Sequence, residues 1–241
     1  MNERTQTHIL PAAAAGAGIL GLLLEVWLLY FSRDDRGLII PHHPASLLLW
    51  VLTLGVIAAL FLLTRKVHPR VRSYVRTFPA SRMGFAGAVA AAAGIVALVL
   101  PELLSSPDTL TLICDILGLA AAAALAYTGF ARLRGFRPHP VFHSAVCLFF
   151  ALWAVCHYRL WSGDPQLSDY CFPLFSNLAL MLTAYHRAAF DVLTGNRRTY
   201  RFFRLLTLYL CIAAIAAGGV AYGGFALWML ASPAHADMED A

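Results

Sequence analysis

The chain has 241 residues, of which 60% are hydrophobic and only 13% charged, with a mean hydropathy of +0.68. Soluble domains are about 45–50% apolar and about 25% charged, so this composition excludes an ordinary soluble protein and places the chain in the membrane class. The net charge of +5 does not point to nucleic acid, because the arginines sit in short segments between apolar runs and not on one soluble face.

Taken in chain order, the apolar runs predict helices at about 9–31, 45–64, 83–103, 109–131, 140–161, 168–193 and 203–231. Each has at least about 20 residues, enough to cross about 30 Å of hydrocarbon at 1.5 Å per residue. Helices are the spanning element that such runs allow, since every backbone polar group must be satisfied within the segment. The expected fold is an all-α integral membrane protein, a bundle of seven transmembrane helices forming one domain, with the N-terminus in the cytoplasm and the C-terminus outside. The apolar stretch after Met1–His8 is too long for a cleavable signal, so the first helix is expected to stay. The third and fourth spans, rich in Ala88–Ala93 and Ala120–Ala124, are the ones expected to be most buried among the others.

Charge tests that count of spans. One side collects Arg4, Arg65, Lys66, Arg70, Arg72, Arg76, Arg82, Arg132, Arg134, Arg137, Arg187, Arg197, Arg198, Arg201 and Arg204; the other has Arg33, Arg36 and Arg159. An asymmetry of 15 to 3 puts the basic side in the cytoplasm. Arg outnumbers Lys seventeen to one, as in proteins of GC-rich bacterial genomes, and the expected location is a bacterial cytoplasmic membrane. The two halves show no internal repeat of the kind found in many transporters. Gly219 and Gly223 form a GxxxG step flanked by Gly218 and Gly224, and Gly84, Gly87 and Gly94 line the third span; both sets predict close helix packing, within the chain or with a second copy.

Ionisable groups inside the bilayer cost about 2.5–3.5 kcal/mol each unless paired or hydrated, which makes them the best functional pointers. Glu25 and Asp115 both lie roughly 7–8 Å outward of the midplane of their spans. Cys156 and His157 fall at a similar level, and Glu102, Arg159, Asp169, Cys171, His42 and His43 lie farther out. If they face one another, Glu25, Asp115, His157 and Asp169 form an outer polar pocket suited to a proton, a metal ion or a cationic solute. The alternative is that each is satisfied separately, Glu25 by Arg159 or Arg33 and Asp115 by a neighbouring Ser, Tyr or Trp.

Two polar stripes extend this pocket inward. On the fifth span His143, Cys147, Phe150, Ala154, His157 and Trp161 recur at helical spacing; on the sixth, Asp169, Pro173, Ser176, Leu180, Thr183, Arg187 and Asp191 do the same, with Asn177 beside them. Facing stripes give a seam from Asp169 and His157 to His143, His186 and Asp191, which serves equally as a permeation path or as structural hydrogen bonding between helices. Pro173 removes a backbone donor and predicts a local kink. Cys156 and Cys171 bracket the turn at Ser162–Pro165, where they are a candidate disulfide, part of a Cys/His/Asp metal set with His157 and Asp169, or two separate thiols. Cys114, Cys147 and Cys211 read as packing residues.

The basic segment from Arg65 to Arg82 either sets topology or attracts anionic lipid headgroups. Gly195-Asn196 reads as a helix C-terminus signal. The only lysine, Lys66, lies in a loop, so no retinal Schiff base forms within a span, and the intramembrane-protease motifs GxSG, GxGD and EExxxR and a last-span HxxxH are absent. No cofactor is implied. The leading expectation is solute or ion translocation through the seam; the second is a sensor or assembly component contacting lipid or a partner through its basic loops; the third is a metal-dependent intramembrane hydrolase using Glu25, Asp115 and His157.

Overall fold

The computed structural model describes residues 3–33, 39–40, 43–65, 74–105, 108–163 and 167–233, without the side chains of 3–8, 75, 76, 167 and 168. The side chains of Arg4, Arg36, His42, Lys66, Arg70, Arg72, Arg76, Asp164, Pro165, Asp237, Glu239 and Asp240 lie outside the described residues. Apart from one isolated bridge between Arg33 and Ile39, the regular structure described is helical.

The helices are α1 (Glu3–Phe31), α2 (Pro44–Thr64), a short α3 (Tyr74–Thr77), α4 (Arg82–Leu104), α5 (Thr109–Leu133), α6 (Pro140–Trp161), α7 (Cys171–Asp191), α8 (Arg197–Ala213), α9 (Ile215–Gly218) and α10 (Ala221–Ala231), with a 3-10 turn at Leu167–Tyr170. Their starts are set locally. Ser81 and Asp108 accept hydrogen bonds from the first-turn amides of Gly84 and Thr111 at 3.2 Å, and Asn196 accepts from Arg198 and Thr199. His43 and His139 cap α2 and α6 just before Pro44 and Pro140, whose missing amides need no partner at a first helical position. Asn196 therefore begins α8, and the left-handed residue that ends α7 is Leu193 (φ 63°), not Gly195.

Residues 9–31 of α1 and the whole of α2, α4, α5 and α6 are five helices long and apolar enough to cross a membrane. The Ala-rich α4 and α5 are more enclosed than α1 and α2, with 44% of their apolar windows buried against 28% and 22%, but α6, which is not Ala-rich, is buried to the same 44%. α7 is equally long, but its inward face carries Asn177, Thr183, Arg187 and Asp191. α8 has 17 residues and opens with four arginines, yet it is the central helix: it packs on α1, α2, α7 and α10, and Leu205, Leu208, Tyr209 and Cys211 are sealed in the core. The remaining neighbours follow chain order, α4 on α5, α5 on α6 and α6 on α7, while α10 closes the bundle between α4 and α8.

The last segment departs from expectation. The predicted single span 203–231 is broken after Ala213, and Gly219 takes a φ of 80°, a left-handed conformation that a side chain disfavours. α8 runs parallel to α1, with Gly18 against Tyr209 and Ile212 and Gly21 against Ala213. α10 then runs back along α4: Gly94 meets the Ala221 carbonyl, Gly224 meets the Ala90 carbonyl, and Gly87 meets Ala231. Ser232 consequently reaches the same end of the bundle as Arg132 and Tyr200, whereas a through-going span over 203–231 would put it at the opposite end from Tyr200. The 11 residues of α10 span about 16 Å, half a hydrocarbon core.

Candidate functional site

At the end of the bundle away from the arginines of α8, the break between α8 and α10 adjoins a cavity of about 500 Å³ lined by Leu29, Tyr30, Arg33, Asp169, Ala216 and Ala217. Arg33 donates through Nη2 to Asp169 Oδ2 at 3.2 Å. Glu25 lies just behind, 3% exposed, with Asp169 as its electrostatic neighbour and no hydrogen-bond partner at Oε2. Together with Cys171 these two carboxylates line a small pocket beside the cavity.

Asp115 belongs to a second group. It is fully buried on α5, neither carboxylate oxygen has a hydrogen-bond partner, and its charged neighbours are Glu102 of α4 and His157 of α6. His157 Nε2 lies 2.7 Å from Glu102 Oε1, Nδ1 lies 3.0 Å from the Trp153 carbonyl, and the ring stacks on Trp153 at 3.4 Å. The predicted outer pocket is thus divided: Glu25 and Asp169 sit where α1, α2 and α7 meet, and Asp115 and His157 sit among α4, α5 and α6. Glu102, which by sequence lies farther out than Asp115 and His157, is their partner; its signal is the short α4–α5 connection, which brings residues near 102 and 115 to one end. The suggested satisfying pairs also change, because Arg159 reaches Asp108 at 3.3 Å. The Thr111 hydroxyl and amide, and secondarily Arg159, hold the Asp108 carboxyl below its ordinary range.

The stripe on α7 is buried along its length but faces α8 and α10 more than α6. Asn177 Nδ2 donates to the Pro173 carbonyl at 2.8 Å and to the Tyr222 hydroxyl at 2.9 Å. Ser176 lies against Cys211 of α8, and Thr183 shares a 2.8 Å hydrogen bond with Thr207. Arg187 donates through Nη1 to Tyr200 at 3.2 Å and lies 3.5 Å over the Phe78 ring. The stripe's hydrogen bond to α6 is made by Asp191, whose Oδ2 lies 2.5 Å from His143 Nδ1. The expected seam between the fifth and sixth helices is corrected accordingly. Helix spacing defines a face, and the packing of α8 decided what that face meets; His157 turned to Glu102, and His186 stacks on Phe203.

The arginine end holds a feature that charge counting concealed. Arg132, Arg187 and Arg204 are all at most 5% exposed and are mutual electrostatic neighbours around Tyr200. Arg204 has no hydrogen-bond partner at Nε or Nη1, and Arg187 none at Nε. In the sequence Arg187 reads as part of the polar stripe of the sixth span, while Arg132 and Arg204 read as charges at the rims of theirs; two turns into a central helix, Arg204 is instead inside.

None of the five cysteines forms a disulfide, and the neighbour of Cys156 is Cys114 of α5, while Cys171 lies beside Asp169 and Glu25; of the three alternatives for Cys156 and Cys171, the structure has two separate thiols. Among the described residues no three His, Cys, Asp or Glu side chains are grouped to hold a metal ion. No protein-family model, curated protein or solved structure matches the chain.

Proposed function

We propose that the protein translocates an ion, a proton in the first instance, across a bacterial cytoplasmic membrane along the buried face of α7. The observation that carries this reading is a succession of sealed polar side chains, Ser176, Asn177, Thr183, Arg187 and Asp191, which leads from the Asp169 cavity to the arginine end. It is lined on its other side by a broken helix. Irregular backbone at membrane depth is tolerated where protein covers it or a water-filled cavity meets it, and interrupted helices with half-helix ends are a recurring element of transporter sites. The unpartnered Oε2 of Glu25, beside Asp169, supplies a proton-accepting group on the outer half. With the basic end in the cytoplasm, α1, α2, α4, α5, α6 and α7 cross fully and α8 to α10 form a returning hairpin, which places both the first helix start and residue 232 in the cytoplasm.

Proteoliposomes with a trapped pH-sensitive dye and an imposed diffusion potential test the proposal. Proton flux above empty liposomes is expected for the native chain, with a fall of about tenfold or more for Glu25→Gln and for Asn177→Leu, each loss equivalent to at least about 1.4 kcal/mol on the rate-limiting barrier. No flux from the folded native protein, or equal flux from all three, would sink it.

A further inference from the structure

At the arginine end a groove of about 490 Å³ separates the start of α4 from the end of α10, lined by Ser81, Met83, Arg132, Leu227, Leu230 and Ala231. Arg132 forms its floor. The guanidinium lies flat on Gly84, where a Cβ would stand 2.7 Å from Cζ, and it is 3% exposed. Its hydrogen-bond acceptors are neutral: the Ala231 carbonyl at 3.0 Å, the Ser232 hydroxyl at 3.4 Å and the Pro79 carbonyl at 3.4 Å. No carboxylate among the described residues pairs with it, and its nearest charged neighbours are the like charges of Arg187 and Arg204. Asp191, the carboxylate close to Arg187, is already bonded to His143. A guanidinium removed from water beside two others, with one shared carboxylate, calls for a further anion.

The walls say what kind. Met83, Leu227 and Leu230 are 73%, 54% and 42% exposed, and Leu227 lies about one helical turn deeper than Leu230, so an apolar track runs from the groove along the outside of the bundle. Ser81 Oγ accepts from the Gly84 amide, which leaves its hydroxyl proton free to donate. A cationic floor and a hydroxyl donor at the end of an apolar track are complementary to a phosphate esterified to long chains, and less so to a free phosphate, for which the track has no use.

We propose that this groove is a binding site for an anionic glycerophospholipid, its phosphate between Arg132 and Ser81 and an acyl chain along Leu230 and Leu227. The unneutralised charge favours an anionic headgroup over a zwitterionic one. The inference is independent of ion translocation.

Native mass spectrometry of the full chain, released from detergent containing equal dioleoyl-phosphatidylglycerol and dioleoyl-phosphatidylcholine, tests the site. Retention of phosphatidylglycerol is expected to exceed that of phosphatidylcholine by about tenfold. Leu230→Trp, which fills the groove and spares the hydrogen bonds of Arg132, is expected to abolish the preference, as is Arg132→Gln. Inorganic phosphate at millimolar concentration is expected not to displace the lipid. Equal retention of the two lipids, undiminished preference in Leu230→Trp, or displacement by phosphate alone would each overturn the proposal.

Discussion

The hydroxyl of Tyr200, in the first turn of α8, donates to the carbonyl of Ser232, just past α10, at 2.9 Å. Two residues 32 positions apart, with an intervening stretch that reads as one apolar run, meet at the same end of the bundle. A reporter fused after Pro233 is therefore expected to report the same compartment as one inserted in the Arg134–Pro138 turn, and the opposite compartment from one inserted at Ser162–Gly163. Agreement with the 162–163 insertion would restore a through-going last helix.

Gly219 and Gly223 look equivalent as a GxxxG pair, but the structure gives them different tasks. Gly219 holds φ 80° and ψ −179°, a region essentially restricted to glycine, with open space around it, so Gly219→Ala carries a conformational cost of about 1–3 kcal/mol and no clash. At Gly223 a Cβ meets nothing closer than Ile215 Cδ1 at 4.0 Å, and Gly223→Ala within α10 is expected to be neutral or to stabilise by up to about 1 kcal/mol. Detergent unfolding titrations of the two variants check this; equal losses would support a packing motif instead.

His143 and Asp191 form a sealed pair, with side-chain exposures of 2% and 0%. Asp191→Ala leaves His143 Nδ1 without its partner and frees Arg187 from its nearest negative charge, so a loss of about 3–5 kcal/mol is expected. Asp191→Asn keeps an oxygen acceptor in place and is expected to lose less than half as much. The same unfolding titration reads both, and a nearly silent Asp191→Ala would mean that the pair contributes little to holding α6 on α7.

The five predicted segments matching α2, α4, α5, α6 and α7 end within three residues of the observed helices, because length, hydropathy and local caps such as Ser81, Asp108 and His139 act over a few turns of one chain. The clustering of arginines at one end is likewise written in the residues. The direction of the last segment is not: no Lys or Arg follows Arg204, so charge asymmetry has nothing to register there, and hydropathy is the same whichever way an apolar run points.

Helix rotation was equally hidden. Periodicity places Ser176, Asn177, Thr183, Arg187 and Asp191 on one face of α7, but whether that face meets α6 or α8 depends on which helices pack together. Glu25 and Asp115 share a depth yet lie in separate groups for the same reason. Composition and spacing are properties of each segment alone, so they determined the helices and their basic end; contacts between segments distant in sequence decided the return of α10, the division of the carboxylates and the burial of Arg132, Arg187 and Arg204.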